Sequence, residues 1–426
     1  MNIQSCIILA FMVKIYNSTK NTKWNGVRLM TSRYQSSLEM HRIHTGKMET
    51  VAKVPLENRA DLSLAYSPGV AEPCLEIAKN PYAVYDYTIK GNLVAVITDG
   101  TAVLGLGDIG AEAALPVMEG KAMLLKRYAN IDSFPICLGT KDVDIIVQTI
   151  KAISPTFGGI NLEDISAPRC FEIEKRLREE CDIPVFHDDQ HGTAIVVGAG
   201  LLNALKVVKK NKKSVKIAVN GAGAAGIAIV KHLKNIGFEQ IVICDSKGII
   251  YKGRPNGMNP TKDEIAEITN PNGLTGSLQI AMTDADVFIG VSAANILTLE
   301  HIDCMSSDPI VFALANPDPE IAPALAKAYG VRVIATGRSD YPNQVNNVLA
   351  FPGIFRGALD VRATEINESM KLAATYAIAS LIHESELRDD YIVPDPFDER
   401  VVKVVTEAVS KAAIESGVSA LMCTVR

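Results

Sequence analysis

Val215-Lys-Ile-Ala-Val-Asn220 is an apolar run typical of a buried strand, and it leads directly into Gly221-Ala-Gly-Ala-Ala-Gly226. A helical pattern and a second strand-like run, Gln240-Ile-Val-Ile-Cys-Asp245, follow. In such a strand–turn–helix–strand unit the glycines let the backbone approach a pyrophosphate at the helix N-terminus, and the terminal acid lies near a ribose. The stretch therefore predicts a dinucleotide site formed by Gly221, Ala222, Gly223, Ala224, Ala225, Gly226 and Asp245.

The alternation of strands and helices continues towards the C-terminus. Apolar runs at 287–291, 310–314 and 331–335 have the uniform hydrophobicity of parallel strands that are covered on both faces. We predict a doubly wound, Rossmann-type domain over residues 191–365. Helical periodicity further on, interrupted by prolines, predicts a C-terminal helical segment over residues 366–426.

The N-terminal half shows an alternation of its own. Residues 82–87 and 93–98 are predicted as strands, residues 117–128 as a helix, and residues 51–69 as a loop. We predict an α/β domain over residues 37–190. The whole chain is therefore assigned to the α/β class, with two domains.

The composition excludes several classes of protein. The 43 Lys and Arg residues against 48 Asp and Glu residues give a net charge of -5, so no overall positive field points to a nucleic acid. Eight cysteines are spread without a C-x-x-C pair, which disfavours disulfide scaffolds and zinc fingers and favours a reducing compartment. No apolar run in the body of the chain reaches the roughly 20 residues of a membrane span. We expect a cytoplasmic protein without a membrane partner.

The first segment, residues 1–36, differs from the rest of the chain. It contains Lys14, Lys20, Lys23, Arg28 and Arg33 but no acidic residue. One hypothesis is an extension without stable structure, which has no part in the fold. The alternative is a transit peptide for a mitochondrion-like organelle, for which a basic, acid-free composition is typical.

Two pairs of adjacent acids, Glu163-Asp164 and Asp188-Asp189, lie near the predicted junction of the two domains. Carboxylate oxygens are the ligands that Mg²⁺ and Mn²⁺ prefer. Unpaired carboxylates between an apolar run and an uncharged helix would be costly, so a cation is expected. The neighbouring His187 and His191 are expected to cap the helix or orient the ligands, not to bind the metal.

Stretches along both predicted domains resemble malic enzymes of the small-subunit type. The stretches are SLAYSPGVA (63–71), TDGTAVLGLGD (98–108), PVMEGK (116–121), NLED (161–164), HDDQHGT (187–193), FALANP (312–317) and QVNNVLAFPG (344–353). The resemblance runs from about residue 37 to the C-terminus, with the motifs in order.

The resemblance implies oxidative decarboxylation of (S)-malate to pyruvate and CO₂ with reduction of NAD⁺ or NADP⁺, and decarboxylation of oxaloacetate. It also implies a homodimer or homotetramer that acts on small molecules. The residues it implies are the catalytic Tyr66 and Lys121, the substrate-binding Lys121, Asn316 and Asn346, and the Mg²⁺ or Mn²⁺ ligands Glu163, Asp164 and Asp189.

Chemical roles follow for the two catalytic residues. Lys121 is expected to accept the proton of the C2 hydroxyl, with a pKa depressed by the metal and by the positive ring of the cofactor. Tyr66 is expected to protonate C3 of enolpyruvate. One departure concerns substrate binding, because larger malic enzymes carry an arginine in the T-D-G loop that grips a malate carboxylate. This chain has Thr101-Ala102 there.

Two other functions are alternatives to the malic enzyme reaction: a metal-independent oxidoreductase and a regulator without catalysis. A metal-independent oxidoreductase with a nucleotide domain like that of amino-acid dehydrogenases would need no clustered carboxylates. A non-catalytic NAD(H)-sensing regulator would need a DNA-binding or partner module, and no basic helix-turn-helix region is visible. The clustered acids favour the malic enzyme over both.

Local chemistry points both ways on the choice of cofactor. Asp245 would accept hydrogen bonds from a ribose 2′-hydroxyl and repel a 2′-phosphate, which favours NAD. Lys247, Lys252 and Arg254 follow closely and are able to neutralise that phosphate. Flexible lysines discriminate less than an arginine fork, so we predict use of both cofactors with a lean to NADP.

Overall fold

The computed structural model describes residues 26–421. The chain divides into two compact units, residues 1–49 and residues 50–426. The described part of the first unit contains one helix, α1 (Gly26–His44), and the boundary predicted after residue 36 falls inside it. Residues 1–25, on which the transit-peptide hypothesis largely depends, lie outside the described residues.

The second unit begins with helices where the sequence predicted a loop and a strand. Part of the predicted loop 51–69 forms helix α2 (Arg59–Ala65), because the Asn58 side chain accepts hydrogen bonds from two backbone amides of its first turn. After α3 (Ala71–Lys79), the predicted strand 82–87 is also wrong: a 3₁₀ turn runs into the short helix α4 (Val84–Tyr87). Asn80 caps that turn, and a proline at its first position favours helical backbone.

The first sheet has four parallel strands in the order β2-β1-β3-β4. Its strands are β1 (Leu93–Thr98), β2 (Asp132–Cys137), β3 (Gly159–Leu162) and β4 (Val185–His187). The helices between them are α5 (Ala111–Ala129), α6 (Val143–Ile153) and α7 (Arg169–Glu180). Every residue of β1 is buried, as the uniform hydrophobicity of its sequence requires.

Helix α8 (Asp188–Val208) starts where β4 ends and leads into the second sheet. It is long and apolar enough to span a membrane, yet 67% of its most apolar window is buried inside the protein. A Cβ atom on Gly198 would lie 2.8 Å from the Cδ1 atom of Ile236, so this glycine allows a neighbouring helix to approach closely. Helix α8 is therefore a core helix, and it crosses the domain boundary predicted after residue 190.

The second sheet has six strands in the order β10-β9-β8-β5-β6-β7, of which only β7 is antiparallel to its neighbour. Its strands are β5 (Lys216–Asn220), β6 (Gln240–Asp245), β7 (Gly248–Ile249), β8 (Val287–Gly290), β9 (Ile310–Ala313) and β10 (Val333–Thr336). The helices are α9 (Ala224–Ile236), α10 (Pro260–Ile268), α11 (Leu278–Met282), α12 (Leu299–Asp303) and α13 (Pro323–Ala328). Because β5 lies between β6 and β8, the strand order reverses at its carboxyl end, which is where doubly wound sheets bind ligands.

Three helices follow the second sheet: α14 (Phe351–Asp360), α15 (Glu368–Ser380) and α16 (Arg400–Glu415). Helix α14 packs closely against α16 at two glycines. A Cβ atom on Gly353 would lie 2.7 Å from the Cβ atom of Val405, and one on Gly357 would lie 2.9 Å from that of Val409. The predicted α/β class and the C-terminal helices are both confirmed.

We expect Gly353→Val to lower the free energy of unfolding by about 1–3 kcal/mol, because added carbons there overpack the contact between α14 and α16. Urea denaturation followed by circular dichroism measures the change. Gly139→Val is the control, since a Cβ atom at Gly139 meets nothing within 4 Å. Equal stability of the two variants would contradict the packing argument.

Candidate functional site

The predicted metal ligands come together at the edge of the first sheet. Glu163 and Asp164 directly follow β3, and Asp189 lies in the first turn of α8, directly after β4. Leu162 pairs with His187 in register, so these two strand ends are neighbours. Ligand atoms of the three acids all lie within 4.8 Å of one another, and the backbone amide of Asp164 donates to Oδ2 of Asp189 over 2.8 Å.

Burial and mutual repulsion raise the pKa of all three carboxyl groups. The pKa of Glu163 is raised to about 7, that of Asp164 to about 9 and that of Asp189 to about 6. Burial is the largest cause in each case, and neighbouring carboxylates add to it. The buried Oδ2 atom of Asp164 has no hydrogen-bond partner among the described residues. A set of hard oxygen donors with one orphaned atom fits Mg²⁺ or Mn²⁺.

Lys121 lies beside this acid cluster, in the middle of α5. Its ammonium is 2.5 Å from Oδ2 of Asp188 and 2.9 Å from Oε1 of Glu163, and it lies 4.3 Å from the centre of the Phe351 ring. Only 6% of the side chain of Lys121 is exposed. The arrangement places one buried ammonium between the carboxylates of Glu163, a predicted metal ligand, and Asp188.

The predicted depression of the Lys121 pKa, which depends on a bound cation and on the cofactor ring, stays a prediction, and the protein's own side chains act in the opposite direction. Burial alone would lower this pKa, but the charges of Asp188 and Glu163 outweigh the burial and raise it. Asp188 is the residue whose role the sequence analysis missed: it pairs with the lysine, while its neighbour Asp189 faces the other acids. The sequence signal for this role was the position of Asp188 directly before Asp189, a predicted ligand.

The predicted substrate asparagines lie in loops after strands of the second sheet. The backbone carbonyl of Asn316 would lie 2.2 Å from a Cβ atom on Gly105, so the T-D-G loop approaches it closely. Oδ1 of Asn346 accepts a hydrogen bond from the backbone of Val348 and caps a 3₁₀ turn (Asn347–Leu349). Asn347, which sequence analysis did not select, places its Cβ atom only 2.9 Å from the Cβ position of a substituted Gly192 in α8.

Tyr66 does not join this cluster within one chain. Tyr66 is 70% exposed, whereas Lys121 is buried. Helices α2 and α3 on either side of it bury no residue at all. The structure therefore brings together Lys121 and the three acids but leaves the predicted proton donor at the surface.

An arginine of α7 donates hydrogen bonds to the T-D-G loop, the loop in which this chain lacks the arginine of larger malic enzymes. The guanidinium of Arg169 donates to Oδ2 of Asp99 over 2.7 Å and to Oγ1 of Thr101 over 2.8 Å. It also donates to the carbonyl of Lys141. Larger malic enzymes carry an arginine near the position of Thr101. In this chain the hydroxyl of Thr101 instead accepts a hydrogen bond from Arg169, which belongs to another element.

The glycine-rich turn after β5 has the backbone conformation that a pyrophosphate site needs. Gly221 has a φ of +121°, and a Cβ atom there would lie 2.6 Å from the carbonyl of Val291. At Gly226 the Cβ atom would lie 1.7 Å from the carbonyl of Gly221. Nothing lies within 4 Å of a Cβ atom on Gly223, and no side chain caps α9 at this residue. The helix N-terminus is open to an anion.

Asp245, at the end of β6, lies beside a cavity of about 600 Å³. Its carboxylate is already engaged by Arg254 over 2.5 Å, by Lys262 over 2.6 Å and by the backbone amide of Lys247 over 2.8 Å. Other residues that line the cavity are Tyr251, Ser277, Ile296 and His301. These groups suit the adenosine half of a dinucleotide, with a neutralised carboxylate in place of a free one.

Family comparisons match both halves of the chain. The family described as malic enzyme, N-terminal domain, matches residues 45–178, and the family described as malic enzyme, NAD binding domain, matches residues 190–414. The chain belongs to the malic enzyme family. It is an NAD(P)-dependent oxidoreductase, and the oxidative decarboxylation of malate fits its relatives.

Individual relatives agree with this assignment. The chain is 63% identical over 385 residues to the bifunctional malic/malolactic enzyme of Bacillus subtilis, covering 90% of this chain and 94% of that one. It is 52% identical to the NADP-dependent malic enzyme of Escherichia coli, covering 90% of this chain but 53% of that longer one. The crystal structure of the NAD-dependent malic enzyme of Thermotoga maritima matches with a TM-score of 0.85 at 52% identity, covering 88% of this chain and 98% of that one.

We expect Mn²⁺ to raise the melting temperature of this malic enzyme more at pH 8 than at pH 6, because both pH values lie within the range of about 6 to 9 over which the shifted carboxyl groups ionise. Raised pKa values mean that the metal-free fold is stabilised by protonated carboxyls, and this stabilisation is lost as the pH rises through them. The cation needs the ionised forms, so its contribution grows with pH.

Differential scanning calorimetry with Mn²⁺ and with chelator at each pH measures this difference. Asp189→Asn removes one ligand and should abolish most of the increment. An increment that is independent of pH would show that these carboxyls do not hold the cation.

Proposed function

We propose that this malic enzyme divides its reaction on (S)-malate between Lys121 and Tyr66 at the acid cluster of the first sheet. The observation that carries the proposal is the position of the Lys121 ammonium, 2.9 Å from a carboxylate of the predicted metal site. Glu163, Asp164 and Asp189 would hold Mg²⁺ or Mn²⁺. When bound, the cation supplies Lewis-acid polarisation of the C2 oxygen and stabilises the enolate charge that develops as CO₂ leaves.

The side chains of the protein then have separate duties. Lys121 accepts the proton of the C2 hydroxyl as the hydride leaves for the nicotinamide, and a cation beside Lys121 disfavours its ammonium form. Asn316 and Asn346 donate amide hydrogens to the malate carboxylates. Tyr66 returns a proton to C3 of enolpyruvate. Because decarboxylation follows oxidation at the same site, we propose that added oxaloacetate is also decarboxylated.

We propose that the site is completed by a second copy of the chain, in a homodimer or a homotetramer built from such dimers. The hydrogen bonds of residues 57–79 stay inside that segment, except that the backbone amide of the next residue, Asn80, donates to the carbonyl of Glu76. Its exposed apolar side chains are Leu62, Leu64, Tyr66, Val70 and Leu75. An apolar segment without a buried residue fits a surface that another subunit covers.

The same observation supports a contribution of Tyr66 in trans. Tyr66 is 70% exposed in the single chain, yet its proposed partner Lys121 is buried. A symmetric dimer interface places the same segment of each copy on the other copy. Tyr66 of one copy then serves the acid cluster of the other, and each dimer has two composite sites.

Co-expression of Tyr66→Phe and Lys121→Ala chains tests this arrangement. Each variant alone should lose turnover of malate to pyruvate, and chains that are mixed at random should regain about a quarter of wild-type turnover, because half the dimers are mixed and each has one complete site. Differently tagged chains allow the mixed dimer to be purified and assayed with malate, NADP⁺ and Mn²⁺. Sites formed within one chain would give no recovery, since each would lack one residue.

Cofactor use is the second part of the proposal: both NAD⁺ and NADP⁺ are accepted, with a lean to NADP⁺. The support is chemical, because Arg254 and Lys262 neutralise Asp245 and so reduce its repulsion of a 2′-phosphate. Lys247 lines the same cavity with an exposed side chain.

We expect Lys247→Glu to raise the KM for NADP⁺ about tenfold or more, because it reverses the charge beside the 2′-phosphate, and to change the KM for NAD⁺ little. Steady-state kinetics with both cofactors measures the ratio. Lys252→Glu is the matched control, since this lysine pairs with Glu267 and lies outside the residues that line the cavity. Equal effects on both cofactors would exclude Lys247 as a reader of the 2′ position.

A cytoplasmic location is proposed on the state of the cysteines. The six cysteines in the described part of the chain are all free, although the fold brings many distant segments together. Free cysteines in a large fold are typical of a reducing compartment.

A further inference from the structure

A buried carboxylate outside the reaction site holds the start of helix α8. Glu174, in α7, accepts hydrogen bonds from the ring of His191 over 2.7 Å, from the side chain of Gln190 over 3.1 Å and from the backbone amide of His187 over 3.3 Å. All three donors belong to the segment 187–191, which also carries Asp188 and Asp189. One side chain therefore bonds to three residues at the start of the helix.

This contact replaces a missing helix cap. The residue before the first turn of α8, His187, makes no side-chain capping bond. The first amides of a helix need acceptors, and a carboxylate near them is favoured by the helix dipole. Glu174, from another helix, accepts a hydrogen bond from the backbone amide of His187 at this end, so α7 contributes to the position of the first turn.

The charge of Glu174 is balanced on the side away from the metal ligands. The Lys371 ammonium lies 3.3 Å from Nδ1 of His191, whose Nε2 atom bonds to Glu174. This chain of contacts fits a neutral imidazole that accepts from the lysine and donates to the carboxylate. Although burial opposes ionisation, the hydrogen bond from His191 and the ammonium of Lys371 hold the pKa of Glu174 below its ordinary value. Glu174 is thus ionised throughout the working pH range.

The network lies in a different place from the acid cluster. Glu174, Gln190, His191 and Lys371 line a cavity of about 840 Å³, and none of the three predicted metal ligands lines it. His191 comes two residues after Asp189, which is about 200° around a helix of 3.6 residues per turn. The ring and the ligand therefore point to different sides of the same turn.

We propose that Glu174 is a positioning residue for the malic enzyme reaction: with His191 and Lys371 it fixes the first turn of α8 so that Asp189 meets the other metal ligands and Asp188 meets Lys121. The two acid contacts that depend on it are short, 2.8 Å from the Asp164 amide to Asp189 and 2.5 Å from Lys121 to Asp188. Glu174 acts through residues 187–191 and is not itself one of the predicted ligands. The inference rests on the proposed metal site.

The test compares Glu174→Gln and Glu174→Ala with the wild-type protein. Removing a group that orients a metal ligand typically weakens metal binding about 10–100-fold. We expect a loss of Mn²⁺ affinity in that range for Glu174→Ala, measured without turnover by electron paramagnetic resonance of free Mn²⁺. Glu174→Gln keeps the volume and one acceptor oxygen, so its loss should be smaller, and kcat should fall in the same order.

Glu179→Ala is the matched control, since Glu179 lies on the same helix and lines the same cavity but makes no hydrogen bond or ion pair with the described residues of α8. Circular dichroism verifies that each variant is folded before titration, and Glu174→Gln serves if Glu174→Ala does not fold. Wild-type Mn²⁺ affinity in folded Glu174 variants would overturn the inference.

Asp189→Asn separates this failure from failure of the proposed function. Weakened Mn²⁺ binding in Asp189→Asn with wild-type binding in both Glu174 variants would remove only the positioning role. Unchanged binding in Asp189→Asn as well would remove the metal site, and with it the role of Glu174.

Discussion

The buried contact of Lys121 with Asp188 and Glu163 is the constraint around which the molecule is organised. A buried ion pair is stable only when its geometry is good and its remaining polar atoms are satisfied, because the loss of hydration is large. Here one ammonium faces carboxylates from two strand ends, while two further acids stand close by. The cluster thus holds more carboxyl than ammonium groups, and oxygen donors of this kind suit a divalent cation.

This charge arrangement depends on how helix α8 is held. The helix begins at the acids and then runs through the core of the protein, with glycines where neighbouring helices approach it. Its far end is fixed by apolar packing, which tolerates no shift without loss of contact. Its near end carries Asp188 and Asp189, and a carboxylate from α7 accepts hydrogen bonds from residues at this end.

The surface of the single chain shows where this scaffold is incomplete. The segment that carries Tyr66 has its own capped helix but no buried side chain, so its hydrogen bonds are satisfied while its apolar surface is not. The acid cluster forms within one copy, and in the proposed dimer the second copy supplies Tyr66.

Local patterns in the sequence were enough for the two α/β domains, because alternating apolar strands and helices are recorded in neighbouring residues. The turn at Gly221–Gly226 was predictable for the same reason, since its close approaches are to residues of its own unit and to β8. The acids of the metal site were predicted from composition and from family motifs. What failed locally was capping: Asn58 and Asn80 start helices where a loop and a strand were predicted.

The tertiary structure alone settled which charges meet. The pKa of Lys121 depends on Asp188, 67 positions away, and the state of Asp245 depends on Arg254 and Lys262. Glu174 reaches the helix of the metal ligands only because α7 packs beside it. Electrostatic energies depend on distances of a few ångströms and on burial. Neither quantity can be read from the order of residues along the chain.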